Sequence, residues 1–440
     1  MDIKVAATNQ VLSPRGGLIL LKKVCQKLDL FAKASEFLPK NKKGNKSSTD
    51  KFSQILYGFH AGAENLDDLE RLAFDPAFSS ICDDKVYTAK TCGNFLRGFT
   101  HLQCKQMNGI LADTAFKLRS QFQPSDPNNF IMDFDSTPNQ QYGQKMEGVE
   151  VNYKGIRCLD TLQAFDEFGF QYWTIVRPGA TYSSNGVEEM VHGIFSRMPK
   201  TKEYKKTKKY ARGDSAFCNT RFFNACAVKN VRFVVCMKKN IANPLIKRVK
   251  NWQYSKPNSE KGITFHDGRE CEIGDTLYYP DRYPKPVRVI MIRAVKRGRE
   301  HSILKTDEDY DYYMWASDIG EHVMSNESLI RFYRKRGAAE NFIKEVKYGY
   351  DLKHYPCQKL VANKAYSIIG AFAHNCMRLL SLASKPEKPK FAKALRNQFI
   401  NLPCQVIRHG RQVIFKFMKH HHKEVNHWLK ILKKLQFGFA

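Results

Sequence analysis

The chain has 440 residues, 42% of them hydrophobic and 12% aromatic, enough for a sizeable core in two or three domains. Lysine and arginine number 72 against 43 acids, a formal net charge of +29, for which an extended polyanion is the natural partner, although a membrane surface would also attract it. No apolar run is long enough to span a bilayer, no lipidation signal is present, and Met1–Thr8 lacks the apolar core of a signal peptide, so no membrane partner is expected.

Residues 1–125 read as a basic, helical N-terminal region. Gly17–Leu30 carries apolar residues at helical spacing, and Lys40–Lys46 is a basic linker containing glycine. Ser48-Thr49-Asp50 is placed to cap a second helix with Phe52, Ile55, Leu56 and Phe59 on one face. Glu64–Ala73 predicts a third helix, Asp75-Pro76 a break, and Thr91–Phe122 one or two more helices.

Residues 126–236 change period. Phe130, Met132 and Phe134 alternate with Ile131, Asp133 and Asp135, which predicts a strand over Asn129–Asp135 that turns at Ser136-Thr137-Pro138. Asp133 and Asp135 share one face, a costly pairing unless a cation lies there; otherwise one of them caps the turn. Gly155–Phe165 and Phe170–Pro178 predict a hairpin closed by Asp166-Glu167-Phe168-Gly169. Ser184–Met198 predicts a helix with Val187, Val191, Ile194 and Phe195 inward. After the basic stretch Pro199–Lys209, Asp214 falls at a strand-to-helix turn, a usual place for a functional acid in an α/β sheet. A helix over Asn219–Lys229 and an apolar strand over Val231–Cys236 follow.

Residues 237–326 form a β-rich insertion, with strand-like runs at Gly262–Phe265, Thr276–Tyr279, Val287–Val295 and Tyr310–Trp315. Residues 327–384 return to helix. Ser328 serves as cap and Gly349 as stop for a helix over 329–349. On it Tyr333, Arg336, Glu340, Lys344 and Lys347 fall within roughly 80° of one another, beside an apolar stripe of Ala339, Phe342, Ile343 and Val346. Glu345 points about 140° from Glu340, where it makes no more than a surface ion pair. Taken alone, the cationic face is either an ion-paired surface ladder or a phosphate-binding row around one carboxylate. Residues 385–440 form a basic C-terminal region in which the chain stays helical, and Lys419-His420-His421-His422-Lys423 reads as a solvated basic surface. The 12 cysteines form no C-x-x-C pair, against a zinc site or disulfide framework and for a reducing, cytoplasmic setting.

Three carboxylates thus stand on different elements: Asp135 on a strand, Asp214 beyond a later strand, Glu340 on a helix. Carboxylate oxygens suit Mg²⁺ or Mn²⁺, and two such ions clamp the attacking and leaving oxygens of an in-line phosphoryl displacement. The array Tyr333, Arg336, Glu340 and Lys347 is spaced Y-x2-R-x3-E-x6-K, with Asp-Phe-Asp-Ser-Thr around Asp135 and Arg-Gly-Asp-Ser-Ala-Phe around Asp214. It resembles the signature of the cut-and-paste DDE transposases of bacterial insertion sequences, and the likeness runs over most of the chain.

The resemblance implies an α/β fold with an RNase H-like catalytic core, divided into 126–236 and 327–384 by the insertion. It implies Asp135, Asp214 and Glu340 as the catalytic, metal-binding triad with two Mg²⁺ or Mn²⁺ ions. Tyr333, Arg336 and Lys347 match positions that contact DNA at the cleaved end, and Lys344 shares their face. Partners would be terminal inverted repeats and target DNA, with end binding by 1–125 and a homodimer in the DNA complex, in a bacterial cytoplasm. Competing readings are a metal-dependent nuclease that cuts without joining and a non-catalytic DNA-binding descendant.

Overall fold

Alternating apolar residues set a sheet at the centre of the molecule. The structure is a computed structural model describing residues 3, 6–40, 46–122, 128–143, 145–255, 262–301, 304–385 and 387–435. Its strands are β1 (Leu12–Ser13), β2 (Asn129–Gln140), β3 (Glu150–Val151), β4 (Arg157–Asp166), β5 (Gln171–Pro178), β6 (Lys208–Gly213), β7 (Arg232–Cys236), β8 (Gln253–Ser255), β9 (Cys271–Tyr278), β10 (Val287–Val295), β11 (Tyr310–Ser317), β12 (Cys404–His409) and β13 (Gln412–Phe417). Among the described residues, ten strands form one mixed sheet in the order β3-β4-β2-β6-β7-β11-β10-β9-β8, with β5 also paired to β4. β2, β6 and β7 run parallel, and the other pairings are antiparallel.

Side chains alternate across the sheet and bury both faces. Phe134, Phe233, Val235, Val289 and Met291 belong to a large core. Val234, Ile290, Ile292 and Trp315 belong to a smaller one, closed by Leu329, Ile330 and Tyr333 of the helix Asn326–Arg334. The helix Leu360–Ser384 covers β5 in the large core and packs on the helices Lys46–Ala61 and His101–Arg119. That core runs from Leu18 to Leu435, so the first and last helices share it with the sheet. Each fully buried Leu or Phe contributes about 1.5–3 kcal/mol, and this common burial holds the N-terminal helices to the sheet.

The predicted 166–169 turn forms. Gly169 has φ +82°, and a Cβ there would lie 2.6 Å from the Phe342 ring, so both the backbone and the packing require glycine. Val187, Val191, Ile194 and Phe195 are buried in the helix Val187–Phe195.

Several boundaries differ from the sequence reading. Asp29, at φ 53°, splits the first helix into Leu18–Lys27 and Leu30–Ser35. Ser48 does not cap, because its helix starts at Lys46; its hydroxyl donates to Pro39 O at 2.6 Å. Residues 41–45 of the expected basic linker lie outside the described residues. Asp75-Pro76 starts a helix: the Asp75 carboxylate accepts from Ala77 N and Phe78 N at 3.0 and 3.1 Å, and proline fits the first turn.

β2 continues through Ser136-Thr137-Pro138, where a turn was predicted. β6 pairs with it only as far as Asp133, so Pro138 sits where β2 has a neighbour on one side only, a position that tolerates a residue without N–H. The strands of 237–326 extend the central sheet through the β7–β11 pairing. Gly262–Phe265 is not a strand, although Ile263 and Phe265 are buried in the smaller core. The C-terminal region is not wholly helical: β12 and β13 form a hairpin turned at Gly410 (φ 58°), and β1 pairs with β12. Alternation of Cys404 and Val406, and of Phe415 and Phe417, gives that hairpin a buried side.

The helix predicted over 329–349 is in three pieces: Asn326–Arg334, Gly337–Lys344 and a π-turn over Glu345–Gly349. Its cap is Ser325, whose hydroxyl accepts from Ser328 N, in place of Ser328. A tight turn, with Arg336 N donating to Tyr333 O at 2.8 Å, separates the first two pieces.

Candidate active site

β2 and β6 are adjacent and parallel, with Asp133 opposite Arg212. Two residues further along each strand stand Asp135 and Asp214, so both acids lie at the carboxyl end of the parallel pair, where open α/β sheets bind ligands. Asp214 follows the last residue of β6 and caps a tight turn over Ser215–Phe217, its Oδ1 accepting from Ala216 N at 2.9 Å. Asp135 Oδ1 accepts from Ser136 N at 2.9 Å.

The segment carrying Glu340 is fastened to these two strands. Tyr333 donates to Gly213 O at 3.2 Å, immediately before Asp214. Arg336 Nη2 lies 2.8 Å from Asp135 Oδ2 and contacts Phe134 O at 3.4 Å. Lys347 Nζ donates to Pro138 O at 2.9 Å. The buried stripe of Ala339, Phe342, Ile343 and Val346 holds the segment from beneath. Glu340 itself is exposed and lines a cleft of about 360 Å³ with Arg336, His266, Tyr313 and Trp315. Lys344 is exposed, whereas Tyr333 and Arg336 are buried and Lys347 is half-buried.

The charges interact. Burial pushes Asp135 up to about 6; Arg336 opposes the shift, and Asp214 and Glu340 add to it. Burial works against the Arg336 charge, but Asp135, Tyr333, Asp133 and Asp214 more than offset it and raise its pKa. The two shifts agree physically. A site with three carboxylates and one guanidinium is net anionic, so it favours the cation and disfavours the anion. Burial raises the Tyr333 phenol and lowers Lys347.

Such an anionic cluster suits a divalent cation in donor chemistry, since all three groups are oxygen ligands. Among the described residues, however, no three Asp, Glu, His or Cys side chains converge closely enough to hold one, and the guanidinium of Arg336 takes a countercharge position on Asp135. The His420–His422 run likewise forms no such cluster.

The two aspartates of β2 have different surroundings. Asp133 is 2% exposed and paired in two places with Arg212, Oδ1 to Nε and Oδ2 to Nη2, both at 2.7 Å. Arg212 also donates to Phe332 O at 2.5 Å, which ties β6 to the end of the first helical piece. Sequence reasoning missed Arg212, although an arginine placed opposite a buried strand acid is the partner such an acid needs.

Glu345 contradicts its predicted surface position. It is buried, accepts from Ala392 N at 2.9 Å, and is pushed up to about 7 by burial, with Arg378, the Ala392 N–H and Arg396 opposing. The side of the helix away from Glu340 faces the segment beginning at Ala392, which helical geometry alone does not reveal.

A family model described as Transposase DDE domain group 1 matches residues 1–437. No curated protein matches the chain.

Proposed function

The chain belongs to the Transposase DDE domain group 1 family, and from this premise we propose that it cuts DNA at transposon ends and joins those ends to target DNA, using Asp135, Asp214 and Glu340. The family implies DNA transposition and DNA as partner, and DDE transposases generally use divalent metal. The described residues include no helix long and apolar enough to cross a membrane. The finer assignments are an insertion-sequence element of cut-and-paste type, an RNase H-like core and two Mg²⁺ or Mn²⁺ ions.

One observation carries the reading. Two acids stand just beyond the point where the parallel pairing of β2 and β6 ends, and the broken helical segment leading to the third is clipped beside them by Arg336 and Tyr333. On donor chemistry Asp135, Asp214 and Glu340 would hold the divalent ions, which requires the three carboxylates to draw closer than they stand here and Arg336 to release Asp135. The ions when bound supply positive charge to the attacking and leaving oxygens of the displacement. The protein's own share is positional. Gly213 and Phe134 carbonyls fix the helix, while the Arg212–Asp133 pair fixes β6 against β2. DNA phosphates compete with Asp135 for Arg336, a fork suited to bidentate grip, and Lys344 adds a solvated charge on the same face. In the complex, two copies hold the two ends so that both reach the target together.

A strand-transfer assay tests the proposal, with the element's own end DNA, plasmid target and Mg²⁺. The reading requires joined product. Cut product without joining indicates a nuclease, and a shifted band without cutting indicates a DNA-binding descendant.

A further inference from the structure

A second cleft opens at Asp214. It encloses about 550 Å³ between the loop after β3 and the loop after β5, within the range of roughly 300–1,000 Å³ that ligand pockets occupy. Both loops are braced. Asn152 Oδ1 accepts from Lys154 N at 2.9 Å and from Ile156 N at 3.1 Å. Across the cleft, Arg177 is paired through Nε with Asp160 at 2.7 Å and donates to Ser183 O at 2.9 Å. A Cβ on Gly179 would fall 2.0 Å from Cys158 O, so that loop lies hard against β4.

Each loop offers an exposed tyrosine ring beside a lysine. Tyr153 is 87% exposed, with Lys154 Nζ 5.5 Å from its ring centre. Tyr182 is 46% exposed; Lys238 Nζ sits 4.9 Å from its ring centre and donates to its hydroxyl at 2.6 Å. Exposed aromatic rings flanked by ammonium groups make a stacking platform for a base with cations placed for phosphate. Pro138, on the cleft wall, accepts from Lys347, so the cleft also adjoins the segment bearing Glu340.

We propose that this cleft takes an unpaired nucleotide of DNA next to the phosphate that is cut, with its base against Tyr153 and Tyr182 and its phosphates met by Lys154 and Lys238. The identity of the polymer rests on the transposase reading, whereas the stacking does not require cleavage. The strand flanking the element and an opened target strand present the same chemistry.

Fluorescence anisotropy with the full chain tests the cleft. The probes are a labelled blunt duplex and the same duplex with a few unpaired thymidines, each prepared with the element's end sequence and with arbitrary sequence. Stacking predicts that the wild type prefers the tailed duplex by about tenfold. Tyr153→Ala and Tyr182→Ala lose that preference, and Tyr153→Phe and Tyr182→Phe keep it. Thermal melting serves as the folding control, and Tyr153 is too exposed for its truncation to open the core. A preference confined to the end sequence assigns the flanking strand, and a preference with both sequences admits target DNA. Equal binding of blunt and tailed probes by the wild type overturns the proposal, as does a tail preference that survives both alanine variants. A wild type that prefers tails yet never cuts supports the cleft and removes the transposase reading instead.

Discussion

Glu340 lines an open cleft, while Glu345, further along the same helical segment, is buried against Ala392. Gln in place of Glu345 therefore acts on stability. The carboxyl is raised from 4.5 to about 7 in the folded chain, so between those values the folded state keeps a proton that the unfolded state has lost. Stability from this group is present below about pH 4.5 and declines as pH rises through 7, by something on the order of 3 kcal/mol. Urea unfolding at several pH values should show a shallower fall in Glu345→Gln than in the wild type, since Asp135 and Asp166, raised by burial to about 6 and about 7, contribute to both; equal slopes would contradict it. Asp133→Ala leaves the Arg212 guanidinium buried without its carboxylate, which costs roughly 3–5 kcal/mol. Denaturant melts should show that loss; Asp135→Ala likewise removes the carboxylate from buried Arg336 and should lose some stability, yet fold and fail to cut. A well-folded, inactive Asp133→Ala beside an active Asp135→Ala would reverse the assignment. Arg336→Met frees Asp135 in the DNA-free chain, so calorimetry should register tighter Mn²⁺ binding together with weaker end binding. Unchanged Mn²⁺ affinity would show that the ion pair does not compete with metal.

Elements set by local period and turn chemistry were the ones legible in the sequence. The hairpin closed at Gly169, the helix Val187–Phe195 and the strand-end position of Asp214 all follow from period and turn chemistry. Errors fell where distant segments decide. The extension of β2 through Pro138 depends on where β6 stops pairing, and the cover over Glu345 comes from the segment near Ala392. The break at Arg336 is local, but an unbroken apolar stripe conceals it. The β12–β13 hairpin had a readable alternation, obscured by the basic residues around it. For the candidate site, element placement offered Asp133, Asp135, Asp214 and Glu340, and the family resemblance singled out the last three, while Arg212, Tyr153 and Tyr182 gain meaning only from what the fold sets beside them.

Over the whole molecule, a formal charge of +29 is spread on a chain whose N-terminal helices, sheet and last helix share one core. Phosphate neutralisation and counterion release should then dominate DNA affinity, so that log affinity falls steeply and linearly with log salt. A flat dependence in a salt titration would contradict that. End cleavage in Mg²⁺ by wild type and Glu340→Gln decides whether this folded, basic body cuts DNA through three carboxylates. Glutamine keeps the size of the side chain and removes the charge a divalent ion needs. With circular dichroism matched and both proteins saturated with end DNA, Glu340→Gln should cut slower by orders of magnitude while binding DNA as well or better. Equal cleavage rates for the two proteins would mean that the Glu340 carboxylate holds no metal and that the cut is made elsewhere.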